Sequence, residues 1–579
     1  MNILGISCFY HDSAACLVQD GAVIAAASEE RFTRIKHDHE FPHKAIRYCL
    51  AYAGLTIDDI DYIGFYDKPL VKFERILQTY LAEAPRGIRS FFKAIPLWLR
   101  KKMWMREIIA RELEFKGPVL FSDHHLSHAA SAFHVSPFEE AAILTVDGVG
   151  EWTTSSFGYG RDREIKLTHE IRFPHSLGLL YSAFTGYLGF KVNSGEYKVM
   201  GLAPYGEPRF LDKIKRELVE LRDDGSFKLN MRYFAYTYGL TMVNRRFERL
   251  FGIPARSPES KLEKDHFDLA MSVQKITEEI MLNMAMHARR ETGMRHLCLA
   301  GGVALNCVAN GRVLREAGYD DIFIQPAAGD AGGALGAAML IHHNVLGNPR
   351  TFRLAMPYFG PSFTDEEIKA TLDGFSAEYH HHDRNGIVTR TARLIDEQNV
   401  VGWFQGRMEF GPRALGNRSI LADPRDAGMQ KKVNLKIKFR ESFRPFAPTV
   451  LEGDIGEYFE LDRPSPYMLL TTQVREDRRC IPAVTHVDGS ARIQSIARDV
   501  NPLYYDVIAE FKRLSGVPVI INTSFNVRGE PIVCTPEDAY RCFMRTQMDY
   551  LVMGGFILDK KEQPALEEEK DWRNRWVLD

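Results

Sequence analysis

The sequence lacks the paired cysteines that mark zinc ribbons and disulfide-bonded domains. Its eight cysteines are scattered over 579 residues, and no two of them form a Cys-x-x-Cys pair. Unpaired thiols of this kind are typical of proteins in a reducing compartment. We therefore expect a cytoplasmic location and no structural zinc ribbon.

Long apolar runs and a strong charge of either sign are also missing. No segment reaches the roughly 18 apolar residues that a membrane helix needs, and the chain begins on a predicted strand instead of a signal peptide. The net charge is −2, which provides no broad basic surface for nucleic acid. We expect neither a membrane nor a nucleic acid as partner. The amphipathic, basic stretch 89–105 is interpreted as a helical cap on the core, with a membrane or partner surface as the alternative.

The length predicts more than one domain. A chain of 579 residues exceeds the usual size of a single core. Proline, glycine and asparagine cluster at 344–361, and a helix N-cap signal follows at 362–367. We therefore predict two domains, 1–350 and 351–579. Strands and helices alternate in the first and mix in the second, which indicates an α/β fold class.

His124 and His128 are four residues apart on a predicted helix. At that spacing both side chains project from one face, and two imidazoles can chelate one divalent metal. Zinc proteases carry a glutamate general base after the first histidine, but here His125 stands in that place. The pair therefore favours a metal that positions or polarises a substrate. The alternative is ordinary helix packing.

Three glycine-rich turns follow apolar runs. They contain Asp147 to Glu151, Gly301 to Asn306, and Asp330. Glycines allow the backbone to approach a phosphate or ribose, and a helix N-terminus favours an anion. Together with the two apolar runs at the start of the chain, these turns have the layout of the actin-like nucleotide-binding fold. Each turn taken alone is also a common strand-to-helix connection.

The second predicted domain places arginines among glycines, prolines and aromatic residues. Arginine forks bind phosphate oxygens in a bidentate way, and serine or asparagine side chains can complete an oxyanion site. This pattern indicates ligands with phosphate groups. The alternative is a set of solvated basic residues on unrelated faces.

The whole chain resembles the O-carbamoyltransferases of the NodU/CmcH group, which include nodulation-factor, cephamycin and tobramycin carbamoyltransferases. The resemblance is carried by the His124/His128 pair and by residues 5–15, 28–38, 147–151, 195–206, 301–306, 410–418, 442–448 and 522–526. It implies an N-terminal domain of the actin-like superfamily (a duplicated ribonuclease-H-like fold) with a metal site. It also implies a C-terminal domain similar to YrdC, the carbamoyl-adenylate-forming module.

The resemblance further implies a reaction. Carbamoyl phosphate and ATP, with Mg²⁺, would give carbamoyl adenylate and pyrophosphate in the C-terminal domain. A hydroxyl of a small-molecule natural product would then take the carbamoyl group in the N-terminal domain, and AMP would leave. A homodimer is plausible for such enzymes. The alternatives are a tRNA threonylcarbamoyl-type transferase, an actin-like small-molecule kinase and a non-catalytic nucleotide-binding regulator.

Residue roles follow from the same resemblance. The expected metal ligands are His124, His128, Asp147 and Asp330, with iron as the family metal and zinc or manganese also compatible. His11 is expected to act as general base, or to be a structural histidine in a turn. Lys36 is expected to stabilise developing charge, or to be a solvated lysine. The expected ligands of anionic groups in the C-terminal domain are Arg413, Lys438, Arg444, Arg492 and Arg528. The expected cofactor-binding residues are Asp12, Glu196, Lys198, Gly301, Gly302, Asn306, Arg418, Ser524 and Asn526.

Overall fold

The computed structural model describes residues 1–441, 443–566, 572 and 576. Ser442 of the motif 442–448, and residues 567–571, 573–575 and 577–579 of the predicted second domain, lie outside the described residues. The chain forms two units. The first contains Met1–Glu29 and His37–Leu354, and the second contains Glu30–Lys36 and Ala355–Asp579. Over the described ranges, no helix combines the length and apolar character that crossing a membrane requires.

Both units mix strands and helices, which confirms the α/β fold class. The strands are β1 Asn2–Ser7, β2 Ala14–Gln19, β3 Ala22–Ser28, β4 Tyr62–Phe65, β5 Val119–Phe121, β6 Glu140–Val146, β7 Thr153–Arg161, β8 Glu164–Arg172, β9 Val219–Leu221, β10 Phe227–Leu229, β11 His296–Ala300, β12 Asp321–Ile324, β13 His380–His381, β14 Val401–Phe404, β15 Arg418–Ala422, β16 Ala447–Leu451, β17 Leu470–Gln473, β18 Ser490–Ile496, β19 Val519–Ser524, β20 Tyr550–Met553 and β21 Phe556–Asp559.

The helices lie between these strands. They are α1 Glu30–Thr33, α2 His43–Ala53, α3 Pro69–Glu83, α4 Ile88–Leu97, α5 Met105–Leu113, α6 His124–Phe133, α7 Leu177–Tyr187, α8 Glu196–Leu202, α9 Leu211–Glu217, α10 Arg245–Phe251, α11 Lys264–Thr292, α12 Cys307–Glu316, α13 Asp330–Leu340, α14 Asp365–Gly374, α15 Arg384–Asp396, α16 Ala427–Lys436, α17 Ile455–Tyr458, α18 Pro502–Ser515 and α19 Pro536–Arg545.

The first unit contains two five-stranded sheets with one repeated topology. Their strand orders are β3-β2-β1-β4-β5 and β8-β7-β6-β11-β12. In each sheet the first three strands are antiparallel, and the last two run parallel to the first. Two sheets that repeat order and direction indicate an internal duplication. We call β1–β5 with α6 the first half, and β6–β8, β11, β12 and α13 the second half.

Helices α6 and α13 occupy equivalent positions, each directly after the last strand of its half. Small residues allow α13 to pack closely on its neighbours. A Cβ on Gly336 would lie 1.8 Å from the carbonyl oxygen of Ser127 in α6, and a Cβ on Gly5 of β1 would lie 1.8 Å from that of Ala334. No side chain fits at such distances, so glycine is required at both contacts. The close packing brings the N-termini of the two helices together.

The predicted cap packs on the core only in part. Residues 89–105 cover α4 and a π-helical turn at Trp98–Lys102. Ile95 and Trp98 are buried, whereas Phe92 is 69% exposed and Trp104 is 53% exposed.

The second unit is built on a nine-stranded mixed sheet of order β13-β21-β20-β14-β15-β19-β16-β18-β17. Its central strands β14 and β15 are buried along their whole length. The side chain of Trp403 lies in that core. Such continuous burial is typical of strands covered on both faces.

A short N-terminal segment, Glu30–Lys36, belongs to the second unit. Arg34 fixes it there by donating to the carbonyl oxygens of Ile532 (2.6 Å) and Pro531 (2.9 Å) and by pairing with Glu530 (3.1 Å) and Asp538 (3.3 Å). The sequence does not predict this assignment, because nothing in the local pattern of residues 30–36 distinguishes them from their neighbours.

Candidate active site

Four side chains of the first unit converge on one point. His124 and His128 come from α6, Asp147 follows β6, and Asp330 is the first residue of α13. One ligand atom from each lies within 4.8 Å of all the others. The Nε2 atom of His124 is 3.1 Å from both Asp147 Oδ2 and His128 Nε2. Asp330 Oδ1 is 3.6 Å and 3.7 Å from the two imidazole Nε2 atoms.

The donor set fits a divalent metal. Asp330 is 0% exposed, and within the described part of the chain neither of its carboxylate oxygens has a hydrogen-bond partner. A buried carboxylate without partners is costly, and a cation at the convergence point would satisfy it. Two imidazole nitrogens and two carboxylate oxygens suit iron, zinc or manganese.

The cluster is strongly coupled electrostatically. Burial alone would raise the pKa of Asp147, but the hydrogen bond from His124 and the charge of His128 hold that pKa well below its ordinary value. Burial would lower the pKa of His124, but Asp330 and Asp147 raise it. The carboxylates therefore stay ionised, as metal ligands must be.

Asp147 is oriented by a glycine amide. Its second oxygen, Oδ1, accepts a hydrogen bond from the backbone N–H of Gly302 at 2.8 Å. The preceding Gly301 has a φ of +92°, and a Cβ there would lie 2.3 Å from the carbonyl oxygen of Val146. The glycine pair predicted to approach a nucleotide thus also holds a metal-cluster residue in place. Its contact with ribose or phosphate stays a prediction.

Glu151 joins the starts of two helices. Its carboxylate accepts the backbone N–H of Lys68 at 2.8 Å and that of His124 at 3.1 Å to each oxygen. A carboxylate at helix N-termini interacts favourably with both helix dipoles. The motif at 147–151 therefore supplies one cluster residue and also fixes the helix that carries the histidines.

His11 lies beside the cluster and also begins a chain of hydrogen bonds on its other side. Its Nε2 is 3.7 Å from Asp330 Oδ2, and its Nδ1 is 3.0 Å from Asp12 Oδ2. His37 Nδ1 binds the other oxygen of Asp12 at 2.7 Å, and His37 Nε2 lies 3.1 Å from Ser194 Oγ. An ionised carboxylate only accepts, so both Nδ1 atoms donate. Burial would lower the pKa of His11, but the charge of Asp330 and the hydrogen bond to Asp12 raise that pKa well above its ordinary value. Loss of the proton from Nε2 would expose a lone pair on the side of the ring that faces the cluster.

His37 and Ser194 are site residues that sequence reasoning missed. His37 lies inside the motif 28–38, which was quoted for the resemblance without a role for this residue. The backbone of the structure marks two residues of this hydrogen-bond chain. Asp12 and His37 adopt positive φ values of 53° and 57°. Non-glycine residues in that region are uncommon and are often held there for a purpose.

The other predicted nucleotide-binding residues of this unit are engaged within the fold. Glu196 Oε1 accepts from Ser182 Oγ at 2.7 Å. Lys198 is fully buried, with its ammonium 5.5 Å from the centre of the Phe190 ring. Asn306 caps α12 through its side chain. Their roles toward ribose and phosphate stay predictions.

In the second unit, Lys438 joins the two residues of the predicted Ser-x-Asn element. Its Nζ donates to Ser524 Oγ at 3.1 Å and to Asn526 Oδ1 at 2.6 Å, and also to both backbone carbonyls. Burial, together with the charge of the neighbouring Arg440, lowers the pKa of Lys438 well below its ordinary value. Three of the predicted residues thus form one polar group.

Arg444 and Arg528 are brought together by one carboxylate. Glu441 lies 3.5 Å from Arg444 Nη1 and 3.7 Å from Arg528 Nη2. The backbone N–H of Arg528 also donates to the carbonyl of Lys438 at 3.1 Å. Arg413 and Arg492 are half-buried in the same unit. Lys36 lies in the Glu30–Lys36 segment, which is counted with the second unit.

Arg418 has the contacts of a structural residue. It is 0% exposed, and its terminal nitrogens donate to the carbonyl oxygens of Gln405 (2.6 Å), Gly406 (3.2 Å), Asn417 (3.0 Å) and Pro361 (2.9 Å). Its guanidinium also stacks 3.7 Å from the centre of the Phe404 ring. These contacts hold the guanidinium within the fold, and the predicted cofactor-binding role of Arg418 stays a prediction.

These features define a two-unit α/β protein with a buried candidate metal centre in one unit and a buried cationic group in the other. Comparison with known proteins gives its family. The family model described as "Carbamoyltransferase N-terminus" matches residues 2–339, and that described as "Carbamoyltransferase C-terminus" matches residues 392–560.

Curated relatives agree over most of the chain. An uncharacterised protein of Synechocystis sp. is 54% identical, with 100% of both chains covered. The nodulation protein NolNO of Sinorhizobium fredii is 40% identical over 96% of this chain and 79% of its own. The 3'-hydroxymethylcephem-O-carbamoyltransferase of Amycolatopsis lactamdurans is 30% identical over 72% of this chain and 76% of its own. The chain belongs to the carbamoyltransferase family, and it is an enzyme of that class.

Proposed function

We propose that this enzyme is an ATP-dependent O-carbamoyltransferase that acts on a hydroxyl of a small molecule. The observation that carries the proposal is the buried His124–His128–Asp147–Asp330 cluster with the Nε2 atom of His11 facing it. A site of this kind joins a candidate Lewis acid to a candidate base. The named cephem carbamoyltransferase among the relatives supports a hydroxyl acceptor.

We further propose that the first unit is an actin-like domain and that the second is a YrdC-like domain. The repeated strand order of the two five-stranded sheets supports the duplicated fold proposed for the first unit. The Lys438–Ser524–Asn526 group supports the second assignment, since it agrees with the Ser-x-Asn element expected from the family.

The second unit would make the activated donor. An alcohol attacks carbamoyl phosphate slowly, so a mixed anhydride with AMP is a better donor. Hydrolysis of carbamoyl phosphate would release inorganic phosphate and leave carbamate. Attack of a carbamate oxygen on the α-phosphate of ATP would then form carbamoyl adenylate and release pyrophosphate, with Mg²⁺ accompanying the ATP. Lys438, Arg444 and Arg528 would neutralise phosphate charge as it develops. Arg413 and Arg492 are proposed as further ligands of the anionic groups.

The first unit would transfer the carbamoyl group. His124, His128, Asp147 and Asp330 would hold a divalent metal, iron in the family, which when bound supplies Lewis-acid polarisation of an oxygen. His11 would take the acceptor's proton at Nε2, while Asp12 holds the proton on Nδ1. The acceptor oxygen then attacks the carbamoyl carbon, and AMP leaves.

Pyrophosphate release tests the proposal without knowledge of the acceptor. The enzyme is incubated with ATP and Mg²⁺, with and without carbamoyl phosphate. Release that requires carbamoyl phosphate is expected, and a variant with Lys438→Met should lose it. Formation of ADP and inorganic phosphate, indifferent to carbamoyl phosphate, would instead indicate a kinase or an ATPase.

A further inference from the structure

Helix α3 carries two buried cations on one face. Lys72 and Arg75 are three residues apart, so their side chains project in the same direction. They are only 3% and 7% exposed, whereas Leu70 on the same helix is 63% exposed. Lysine and arginine are almost never buried unless they are paired. Each of the two therefore needs a partner.

Lys72 has its partner. Its Nζ lies 2.5 Å from Asp67 Oδ2. The same ammonium lies 5.2 Å from the centre of the Tyr10 ring and 5.7 Å from that of Tyr66. The pair of charges and the two aromatic faces account for its burial.

Arg75 has no such partner in the described part of the chain. Its Nη1 is buried without a hydrogen bond. Its guanidinium carbon lies 5.0 Å from the centre of the Phe173 ring. Glu151 is a neighbour, but its oxygens already accept the backbone N–H groups of Lys68 and His124. A buried donor without an acceptor is costly, and a bound acceptor group would satisfy it.

This face lies next to the candidate metal cluster. The Tyr66 ring is 5.4 Å from the His124 ring, and the Tyr10 ring is 5.0 Å from the His11 ring. Tyr10 is 40% exposed, so the face is open to solvent at that end. A molecule bound at this face of α3 would have its reacting hydroxyl close to both the cluster and His11.

We propose that Arg75, with Lys72 beside it, binds an oxyanion of the hydroxyl acceptor. The inference rests on the proposed carbamoyl transfer and deepens it, because it names a carboxylate or a phosphate as part of the acceptor. The planar fork of Arg75 suits both groups.

The charges of this region favour an anion over a cation. Lys102, whose ammonium donates to the carbonyl oxygen of Phe9, adds a third positive charge. Asp67 is paired with Lys72, and Glu151 is engaged by helix N-termini. Lys72, Arg75 and Lys102 together carry three positive charges, and Asp67 and Glu151 carry two negative charges. These five side chains therefore leave one positive charge, and an anionic acceptor would offset it and satisfy the unbonded donor of Arg75.

The test uses three sugars as acceptors: D-glucuronate, D-glucose 1-phosphate and neutral D-glucose. The full-length enzyme receives labelled carbamoyl phosphate and ATP, and both the labelled sugar and pyrophosphate are measured. The variants are Arg75→Met and Arg75→Lys. Arg86→Met is the matched control, since the Arg86 side chain is 72% exposed.

We expect kcat/KM for at least one charged sugar to exceed that for glucose by about tenfold or more, as a hydrogen bond to a charged group provides. Arg75→Met should abolish this preference without lowering the thermal stability or pyrophosphate release, Arg75→Lys should keep part of it, and Arg86→Met should keep all of it. A preference for glucuronate would indicate a carboxylate, and one for glucose 1-phosphate a phosphate.

If pyrophosphate release persists, any one of three results would overturn the inference. They are equal kcat/KM for charged and neutral sugars, a preference that survives Arg75→Met, and no transfer to either charged sugar. A fall in thermal stability of Arg75→Met would show that the guanidinium serves the fold. Absence of carbamoyl-phosphate-dependent pyrophosphate release in the unmodified enzyme would instead contradict the proposed function itself.

Discussion

The two halves of the first unit repeat one topology but contribute different ligand chemistry to one site. In each half, the turn after the first strand and the helix after the last strand reach the cluster. The first half supplies imidazoles, namely His11 from its turn and His124 and His128 from α6. The second half supplies carboxylates, namely Asp147 from its turn and Asp330 from α13.

The difference shows how a duplicated scaffold becomes an asymmetric site. Duplication places two equivalent turns and two equivalent helix starts around one point, and each can then diverge. Nitrogen donors on one side and oxygen donors on the other give a mixed ligand set that two identical halves would not provide. Both halves should therefore be required for one function.

The largest effect is expected from removing one ligand from each half. His128→Gln and Asp330→Asn should both lose the bound metal and lower carbamoyl transfer at least about a hundredfold, because a substitution merely beside a ligand already costs ten- to a hundredfold. Metal content by elemental analysis and transfer of labelled carbamoyl are the measurements. His169→Gln, at an exposed position, is the control. A metal retained by either variant would show that the halves do not share one centre.

The next effect concerns the turn of the first half. His11→Asn should lower carbamoyl transfer by about 10²–10⁴-fold, since it removes the proposed general base. Pyrophosphate release should continue, because that step is proposed to take place in the second unit. Both activities are measured in the same reaction mixture. Loss of both carbamoyl transfer and pyrophosphate release would contradict the proposed role of His11 as general base.

Glu151 tests the link between the turn of the second half and the helix of the first. Glu151→Gln should lower the free energy of unfolding by about 1–3 kcal/mol, because charge-assisted bonds to the N–H groups of Lys68 and His124 are weakened. Urea denaturation measures the loss. Glu140→Gln is the matched control, since that side chain is 54% exposed and forms only a surface ion pair. Equal losses in the two variants would contradict the linking role.

The last effect concerns the far ends of the two equivalent helices. His134 follows α6 and His343 follows α13, and their rings lie 4.7 Å apart. Burial lowers the pKa of His343 to about 4. The unfolded chain, with a histidine pKa near 6.5, therefore binds the proton first as the pH falls.

The native state should accordingly lose stability between about pH 6.5 and pH 4, by at most about 1.4 kcal/mol per pH unit for this one group. Above pH 6.5, His343 does not change the free energy of unfolding with pH. Below the pKa of His343 in the folded protein, the loss of stability is complete. Denaturation midpoints across this range provide the measurement. His343→Gln should show a shallower pH dependence than the unmodified protein, and an unchanged slope would contradict the assignment.

The sequence was most informative where function depends on local spacing. The two histidines four residues apart on α6 could be predicted to share a face, and the family resemblance added Asp147 and Asp330. The partners of those residues could not be predicted. Gly302 and Asp147 are 155 residues apart, and Ser194 and His37 are 157 apart. Only the folded backbone brings them together.

The surroundings of the arginines could not be predicted from the sequence. Arg413, Arg418 and Arg444 all stand among glycines, prolines or aromatic residues, so composition treats them alike. Their roles depend on which carbonyl and carboxylate oxygens the fold brings near. Arg418 meets four backbone carbonyls and a phenyl ring, whereas Arg444 shares Glu441 with Arg528. Residue type and neighbours along the chain do not contain that information.

The Glu30–Lys36 segment has a consequence for how the gene can be divided. A cut at the 354/355 junction would seem to separate the two units cleanly, but it would strip the C-terminal product of α1 and of Arg34. Glu530 and Asp538 would then remain without their guanidinium. Independent expression of the second unit therefore requires a permuted gene in which codons 30–36 are joined to codons 355–579.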